Sequence, residues 1–407
     1  MNNNKQQILE GSNAIAQTIK NIRPAVVSAY PITPQTHIVE DLAQFKADGQ
    51  ADYEYIRAES EFAAASIVAG ASATGVRVYS ATSSQGLLLM AEVIYNIAGL
   101  RLPVVMTCAN RAVSAPINIW NDQEDVMAIR NAGWILLFAE NHQEAVNQHI
   151  MAFKLAEQLK IPVMVNVDGF VMTHTYEPVI IPTTEQIKKY LPDYKPEPGQ
   201  YLDPANPVTL GALVTPAHYM EIRQELHDDL TNSLSTINKE FTAFNSQFEI
   251  RNSKLNLIKP AIDNGLIEYS GPKKPTTIVM AMGSVIGTIK EAVSPLSGSP
   301  LIKGVRGIKR AGGIGILKIK CFRPFPAEQI LKIIKSAKNV AVVDKSISLG
   351  HIGPLASDIK AIAQGKTSAN IVSFVVGLGG RDVTKEMIKK IIKQAVKKSD
   401  KAVFVGK

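Results

Sequence analysis

Val76-Arg77-Val78-Tyr79-Ser80-Ala81, then Thr82-Ser83-Ser84-Gln85, then Gly86-Leu87-Leu88-Leu89-Met90 running on to Ala98, reads as a strand, a polar turn and a helix rich in Leu and Met. The same order recurs on both sides. Upstream, Val26-Val27-Ser28-Ala29-Tyr30 is a short strand halted by Pro31 and Pro34, Ile38 to Phe45 has helical spacing, and Tyr53 to Arg57 leads into the small-residue helix Ala63 to Ala71. Downstream, Val104 to Cys108, Trp134 to Leu137 and Val163 to Val167 supply further strands, with a helix from about Gln143 to Gln158 between the last two. This alternation predicts an α/β fold on a mostly parallel sheet, and such open sheets bind ligands at the carboxyl ends of their strands.

Residues 175 to 215 are rich in proline with little periodicity, which predicts an excursion over the surface. A charged helix from Pro216 to about Ile250 follows, and Thr276 to Met282 opens a second α/β unit with strands at Ile314 to Lys320 and Val340 to Val343. Pro326 fits the first position of a helix, where its missing N–H costs nothing. Two domains are expected, residues 1–255 and 256–407, with the boundary region near 255 to 272.

The chain has 407 residues, 46% of them hydrophobic and 20% charged, as in folded globular proteins. It has no apolar run of about 18 residues and no signal-type N-terminus, so a cytoplasmic protein that neither spans nor binds a membrane is expected. Cys108 and Cys321 are its only cysteines, too few for an iron–sulfur cluster held by this chain alone. The net charge of +8 collects in Lys303 to Lys320 and Lys385 to Lys401. Apolar residues at helical spacing between the lysines of the second run predict a solvated amphipathic helix, and no aromatic-interleaved basic motif points to nucleic acid.

Several chemistries lack their signatures. Arg310 to Gly315 and Gly377 to Gly380 do not fit GxGxxG, no phosphate-binding GxxxxGK[ST] or nucleophile-elbow GxSxG occurs, and the seven histidines have no paired ligand spacing. No metal site on this chain is therefore expected. What remains are polar residues at strand ends. Thr33, between Pro31 and Pro34, is either a hydroxyl held for a ligand or an ordinary turn or cap residue. Glu59 and Glu61 precede the small-residue helix, where a carboxylate can partner the helix dipole or meet a planar ligand against an apolar wall. Ser84 and Gln85 open another helix. Arg111 follows a strand and can recognise a carboxylate or phosphate, or tie down the next loop, Pro116 to Asp125, which carries several acids in Asn121-Asp122-Gln123-Glu124-Asp125.

Tyr30 to Pro34, Glu59-Ser60-Glu61, Ala81 to Met90, Asn110-Arg111-Ala112, Asn121 to Asp125 and Asp168-Gly169-Phe170, in this order and spacing, resemble the alpha subunits of pyruvate:ferredoxin oxidoreductases. Ala281-Met282-Gly283-Ser284, Lys318 to Pro326 and Gly377-Leu378-Gly379 resemble the second, transketolase-C-like domain of that family. The resemblance implies a pyrimidine-binding thiamine diphosphate domain followed by that second domain.

It also implies oxidative decarboxylation of a 2-oxoacid with coenzyme A and ferredoxin, or the reverse synthesis, pyruvate being expected first and 2-oxoisovalerate, 2-oxoglutarate or oxalate as alternatives. A non-catalytic scaffold that docks a beta subunit is the alternative of another class. Glu61 takes the place of the glutamate at N1′ of the aminopyrimidine, Ser84 and Gln85 line the cofactor, and Thr33 and Arg111 stand beside the substrate carboxylate. Thiamine diphosphate enzymes hold the diphosphate and Mg²⁺ through Gly-Asp-Gly, which is absent from this chain. A beta subunit is expected to carry that site, and beta, gamma and ferredoxin-like delta subunits or domains the [4Fe-4S] clusters.

Overall fold

The computed structural model describes residues 6–248, 260–293 and 313–406. Among these residues two seven-stranded sheets form the frame. The first runs in the order Cys321–Arg323, Ile135–Phe138, Val163–Asp168, Val105–Asn110, Val78–Thr82, Val26–Ala29, Glu54–Arg57, and all its pairs are parallel except the Cys321–Arg323 edge. The second runs Val403–Phe404, Asn370–Val375, Asn339–Asp344, Thr277–Ala281, Ile314–Ile319, Ile267–Ser270, Ile262–Asp263, with the last two strands antiparallel. The central strands of the first sheet, Val78–Thr82, Val105–Asn110, Ile135–Phe138 and Val163–Asp168, are buried on both faces, as parallel sheets require.

One apolar cluster joins the sheets. It runs from Met106, Leu136 and Met164 of the first to Met280, Leu317 and Val342 of the second, and Phe138 meets Phe322 edge to face. Beside it Lys290, Lys318 and Lys320 are buried against Glu140, Glu144, Glu268 and Asp263. Burial by itself would raise the Glu144 carboxyl, but Lys318 and Lys320 hold it down at about 2. Part of the basic run Lys303 to Lys320 is therefore an interior ion network; its residues up to 312 lie outside the described residues, as do the first three of Arg310 to Gly315. The lysine-rich C-terminal run does form the expected amphipathic helix, Lys385–Gln394, with Ile388, Ile391 and Ile392 buried.

Three local expectations change. The helix expected from Gly86 to Ala98 is two helices, Ser84–Leu89 and Ala91–Gly99, broken at Met90. Within 175 to 215, Tyr176–Val179 pairs antiparallel with Gln7–Glu10, and Thr184–Tyr190 is a helix started by the capping box of Thr183 and Gln186. Pairing with a strand some 170 residues away leaves no local signal. Pro326 caps helix Ala327–Ile334 from just outside it.

His149, wholly buried in helix His142–Leu159, donates from Nδ1 to the Ala145 carbonyl and accepts at Nε2 from Thr107. Burial pushes its imidazole down to about 4. An unfolded histidine takes up its proton near 6.5, so between those values the unfolded chain binds more protons and stability falls as pH drops. His149→Gln is expected to flatten that fall by up to about 1.4 kcal/mol per pH unit. Urea midpoints across pH 4–7 read the slope, and an unchanged slope contradicts the assignment.

Candidate active site

Five neighbouring strands of the first sheet deliver the candidate residues to one carboxyl edge. Val26–Ala29 leads to Thr33, Glu54–Arg57 to Glu61, Val78–Thr82 to Ser84 and Gln85, Val105–Asn110 to Arg111, and Val163–Asp168 to Gly169. Adjacent turns touch: a Cβ on Gly169 would meet the Pro34 ring and the Asn110 carbonyl oxygen, the latter at 2.6 Å.

Glu61 begins helix Glu61–Ala73, whose N-cap Ser60 accepts from the Ala63 amide at 3.1 Å. Glu61 is 8% exposed whereas Glu59 is open to solvent, which separates two carboxylates that spacing left equivalent. Across from Glu61 lies Gly86. A Cβ there would stand 2.6 Å from Thr82 Oγ1 and 2.7 Å from Glu61 Oε1, so only glycine lets this helix pack directly against the carboxylate and the Thr82 hydroxyl. Thr82 Oγ1 and Gln85 Nε2 are both buried with no hydrogen-bond partner. A buried carboxylate with an unpartnered hydroxyl and amide at the same turn suits the ring nitrogen and exocyclic amine of an aminopyrimidine, because each buried polar atom needs a partner.

Ser84 holds a left-handed backbone, φ 47°, which costs a residue with a Cβ about 1 kcal/mol. Its amide donates to Asp125 Oδ2 at 3.0 Å and its hydroxyl lies 2.5 Å from both the Ala112 carbonyl and Gln85 Oε1, fixing the turn from both sides. Asp125 is the common anchor. Its buried carboxylate also accepts from the Arg111 amide at 3.0 Å, from Asn110 Nδ2 at 3.0 Å and from the Val126 amide at 2.8 Å. Burial raises this carboxyl, and the four donors work against that rise. The turn at Ser84 and the turn at Arg111 are thereby welded together.

Arg111 is 9% exposed. Its Nη1 donates to the Thr33 carbonyl at 2.9 Å and its Nε to the Asn118 carbonyl at 3.0 Å. The guanidinium does tie down the loop, as one of the two sequence readings had it, and it brings Thr33 beside itself. It keeps its remaining N–H groups, since these two bonds use only two of its five donors. Thr33 itself is exposed at the mouth of the cleft.

The second sheet closes the far side. Asp168 accepts from Gln123 Nε2 at 3.0 Å, from the Ser284 amide at 2.9 Å and from Lys345 Nζ at 3.2 Å. Burial would raise this carboxyl, but Lys345 and the Ser284 hydrogen bonds hold it below its ordinary value. Lys345 Nζ also donates to Asn121 Oδ1. Asp122 accepts from the Gly379 amide at 3.1 Å, and Asn118 Nδ2 donates to the Gly379 carbonyl at 3.1 Å. Burial pushes Asp122 up to about 7. The acidic loop is thus a clasp onto the Gly377 to Gly380 turn. Asp125 and Lys345 escaped sequence reasoning as individual residues; position directly after a buried strand was the one signal for Lys345.

Comparison with known proteins follows from this geometry. Residues 17–242 match the family described as "Pyruvate flavodoxin/ferredoxin oxidoreductase, thiamine diP-bdg", and residues 276–388 match "Pyruvate:ferredoxin oxidoreductase core domain II". The chain belongs to the pyruvate:ferredoxin oxidoreductase family. Pyruvate synthase subunit PorA of Methanocaldococcus jannaschii is 41% identical over 407 residues, covering 98% of this chain and 97% of that protein. The corresponding subunit of Methanosarcina barkeri is 43% identical over 406 residues, 98% of this chain and 95% of its own length. Ketoisovalerate oxidoreductase subunit VorA of Pyrococcus horikoshii is 39% identical over 390 residues, 95% and 92% of the two chains. Among solved structures, the 2-oxoglutarate:ferredoxin oxidoreductase from Magnetococcus marinus shares the fold, with a TM-score of 0.68 at 20% identity. That match covers 96% of this chain and 65% of the solved one. The pyruvate:ferredoxin oxidoreductase fold is thus the α/β arrangement expected, a thiamine diphosphate-binding unit on a mostly parallel sheet.

No helix among the described residues is long and apolar enough to cross a membrane.

Proposed function

We propose that this chain is the alpha subunit of a heteromeric, cytoplasmic 2-oxoacid:ferredoxin oxidoreductase that converts pyruvate and coenzyme A to acetyl-CoA, CO₂ and reduced ferredoxin, or runs the reverse synthesis. The observation that carries the proposal is the buried Glu61 carboxylate packed against Gly86 beside the Thr82 hydroxyl, with that hydroxyl and the nearby Gln85 amide both buried and unpartnered. Residues 1–255 form the pyrimidine-binding unit and 256–407 the transketolase-C-like unit, an assignment that the matches over 17–242 and 276–388 support.

Glu61 would hold N1′ of the aminopyrimidine and keep a proton on it, in a low-dielectric pocket where that contact is strong. Ser84 and Gln85 would border the ring. Bound thiamine diphosphate supplies the electron sink for 2-oxoacid decarboxylation. Its charged end finds no Gly-Asp-Gly in this chain, so the diphosphate and Mg²⁺ belong to a beta subunit, and the [4Fe-4S] clusters to partner subunits that pass electrons to ferredoxin.

Arg111 offers its remaining N–H groups to the substrate carboxylate, and Thr33 a hydroxyl from the same wall. With threonine there, rather than a second cation, a neutral side chain such as the methyl of pyruvate is favoured. Similarity to a ketoisovalerate oxidoreductase subunit supports a second reading, with 2-oxoisovalerate as substrate.

The test is kcat/KM of the reconstituted complex on pyruvate, 2-oxobutyrate, 2-oxoisovalerate, 2-oxoglutarate and oxalate. Pyruvate is expected to lead, and preference for a dicarboxylate would overturn the assignment. Thr33→Ala is expected to cost roughly 1 kcal/mol, about fivefold in kcat/KM on pyruvate, the worth of one neutral hydrogen bond.

A further inference from the structure

We propose that Glu10, His37 and His174 form a binding site for one divalent cation of the zinc type. The three residues come from separate segments: the end of strand Gln7–Glu10, the first turn of helix Thr36–Ala47, and the loop between strands Val163–Asp168 and Tyr176–Val179. One ligand atom from each lies within 4.8 Å of the other two. His37 Nδ1 is 2.7 Å from Glu10 Oε1, and the two imidazole rings have centroids 4.5 Å apart. Two imidazoles and one carboxylate are a donor set that zinc accepts, with a water completing the tetrahedron. Side-chain adjustments of about 1 Å bring the atoms to the spacing that bonds of roughly 2.0–2.2 Å require.

The framework beneath the cluster is fixed by bonds that no ion is needed to make. Glu10 is paired with Tyr176, the Gly11 amide donates to the Thr175 carbonyl, and the Ser12 amide and hydroxyl both donate to the Thr173 carbonyl. The segment bearing Glu10 is therefore locked to the segment bearing His174. Thr173 Oγ1 engages His174 Nδ1 at 2.7 Å, which orients the ring and leaves Nε2 as its ligand atom, the outer support that metal-binding histidines ordinarily have. Asp41 lies within electrostatic reach of both Glu10 and His37.

The position gives the site its consequence. The His174 ring is 4.7 Å from that of Phe170, which in turn is 4.5 Å from Trp120 on the loop that Arg111 anchors. A cation here would pin the first strand, the helix that follows Thr33 and the loop that follows Asp168 to one point at the lip of the cleft. Sequence spacing hid the set because its members stand 27 and 137 residues apart.

The full chain is titrated with Zn²⁺ alone by calorimetry, and with Co²⁺ alone by its visible d–d absorption. One ion per chain, with affinity reduced about tenfold or more in each of His37→Gln and His174→Gln, is the expected result. Thermal unfolding without metal checks that both variants fold, and Glu10→Gln replaces either one that does not. A wild-type chain that binds neither ion, or binding that survives unchanged in the folded variants, overturns the proposal.

Discussion

Glu61→Gln is expected to leave the complex assembled while slowing hydrogen exchange at C2 of bound thiamine diphosphate by about 10²-fold or more, the range typical of lost acid–base assistance. Glutamine has the same shape, so the packing against Gly86 and the helix start at Ser60 survive. What it lacks is the negative charge that stabilises a proton on N1′. The side chain is buried, and water cannot substitute for that charge. Exchange is followed by quenched-flow deuterium incorporation in the reconstituted complex. Wild-type exchange in the variant would move the role elsewhere; exposed Glu59 is the next carboxylate in sequence, but its solvent exposure makes it a poor substitute.

Arg111→Ala is expected to lose 2–4 kcal/mol of transition-state stabilisation, on the order of 30- to 1000-fold in kcat/KM on pyruvate. Two losses combine in that figure. The substrate carboxylate forfeits a charge-assisted partner, and the carbonyls of Thr33 and Asn118 lose the donor that holds both. Arg111→Lys separates the two: an ammonium restores the charge without the planar fork that spans both carbonyls, so partial recovery is expected. An alanine variant with normal kinetics would refute the substrate role.

The strand and turn order of the first sheet was legible because each strand there is a short apolar run closed by a polar turn. The pairing of Glu61 with Gly86 follows from two such turns on strands brought to one edge. Other features had no local trace. Cys321–Arg323 continues directly from the run Ile314 to Lys320, yet it leaves the second sheet and adds to Ile135–Phe138 of the first, a choice made by the groove between the sheets rather than by its own residues. Nothing in the run Ile314 to Lys320 marks Lys318 and Lys320 as interior. In the fold they are interior because Glu140, Glu144, Glu268 and Asp263 converge on them from three other segments. Asp125 is likewise one of several acids in a loop, and its distinction comes from the Ser84, Asn110 and Arg111 donors that two strand ends aim at it. Sequence patterns report what a residue needs from its own strand or helix, and these residues are defined by what other segments bring to them.

The central claim is that the chain owns the pyrimidine and substrate end of a cofactor site whose charged end lies on another polypeptide. Calorimetric titration of thiamine diphosphate with Mg²⁺ into the purified chain, and into the complex with its partner subunits, tests it most directly. Negligible heat from the chain alone and tight, Mg²⁺-dependent binding by the complex is the predicted result; tight Mg²⁺-dependent binding by the chain alone would contradict it.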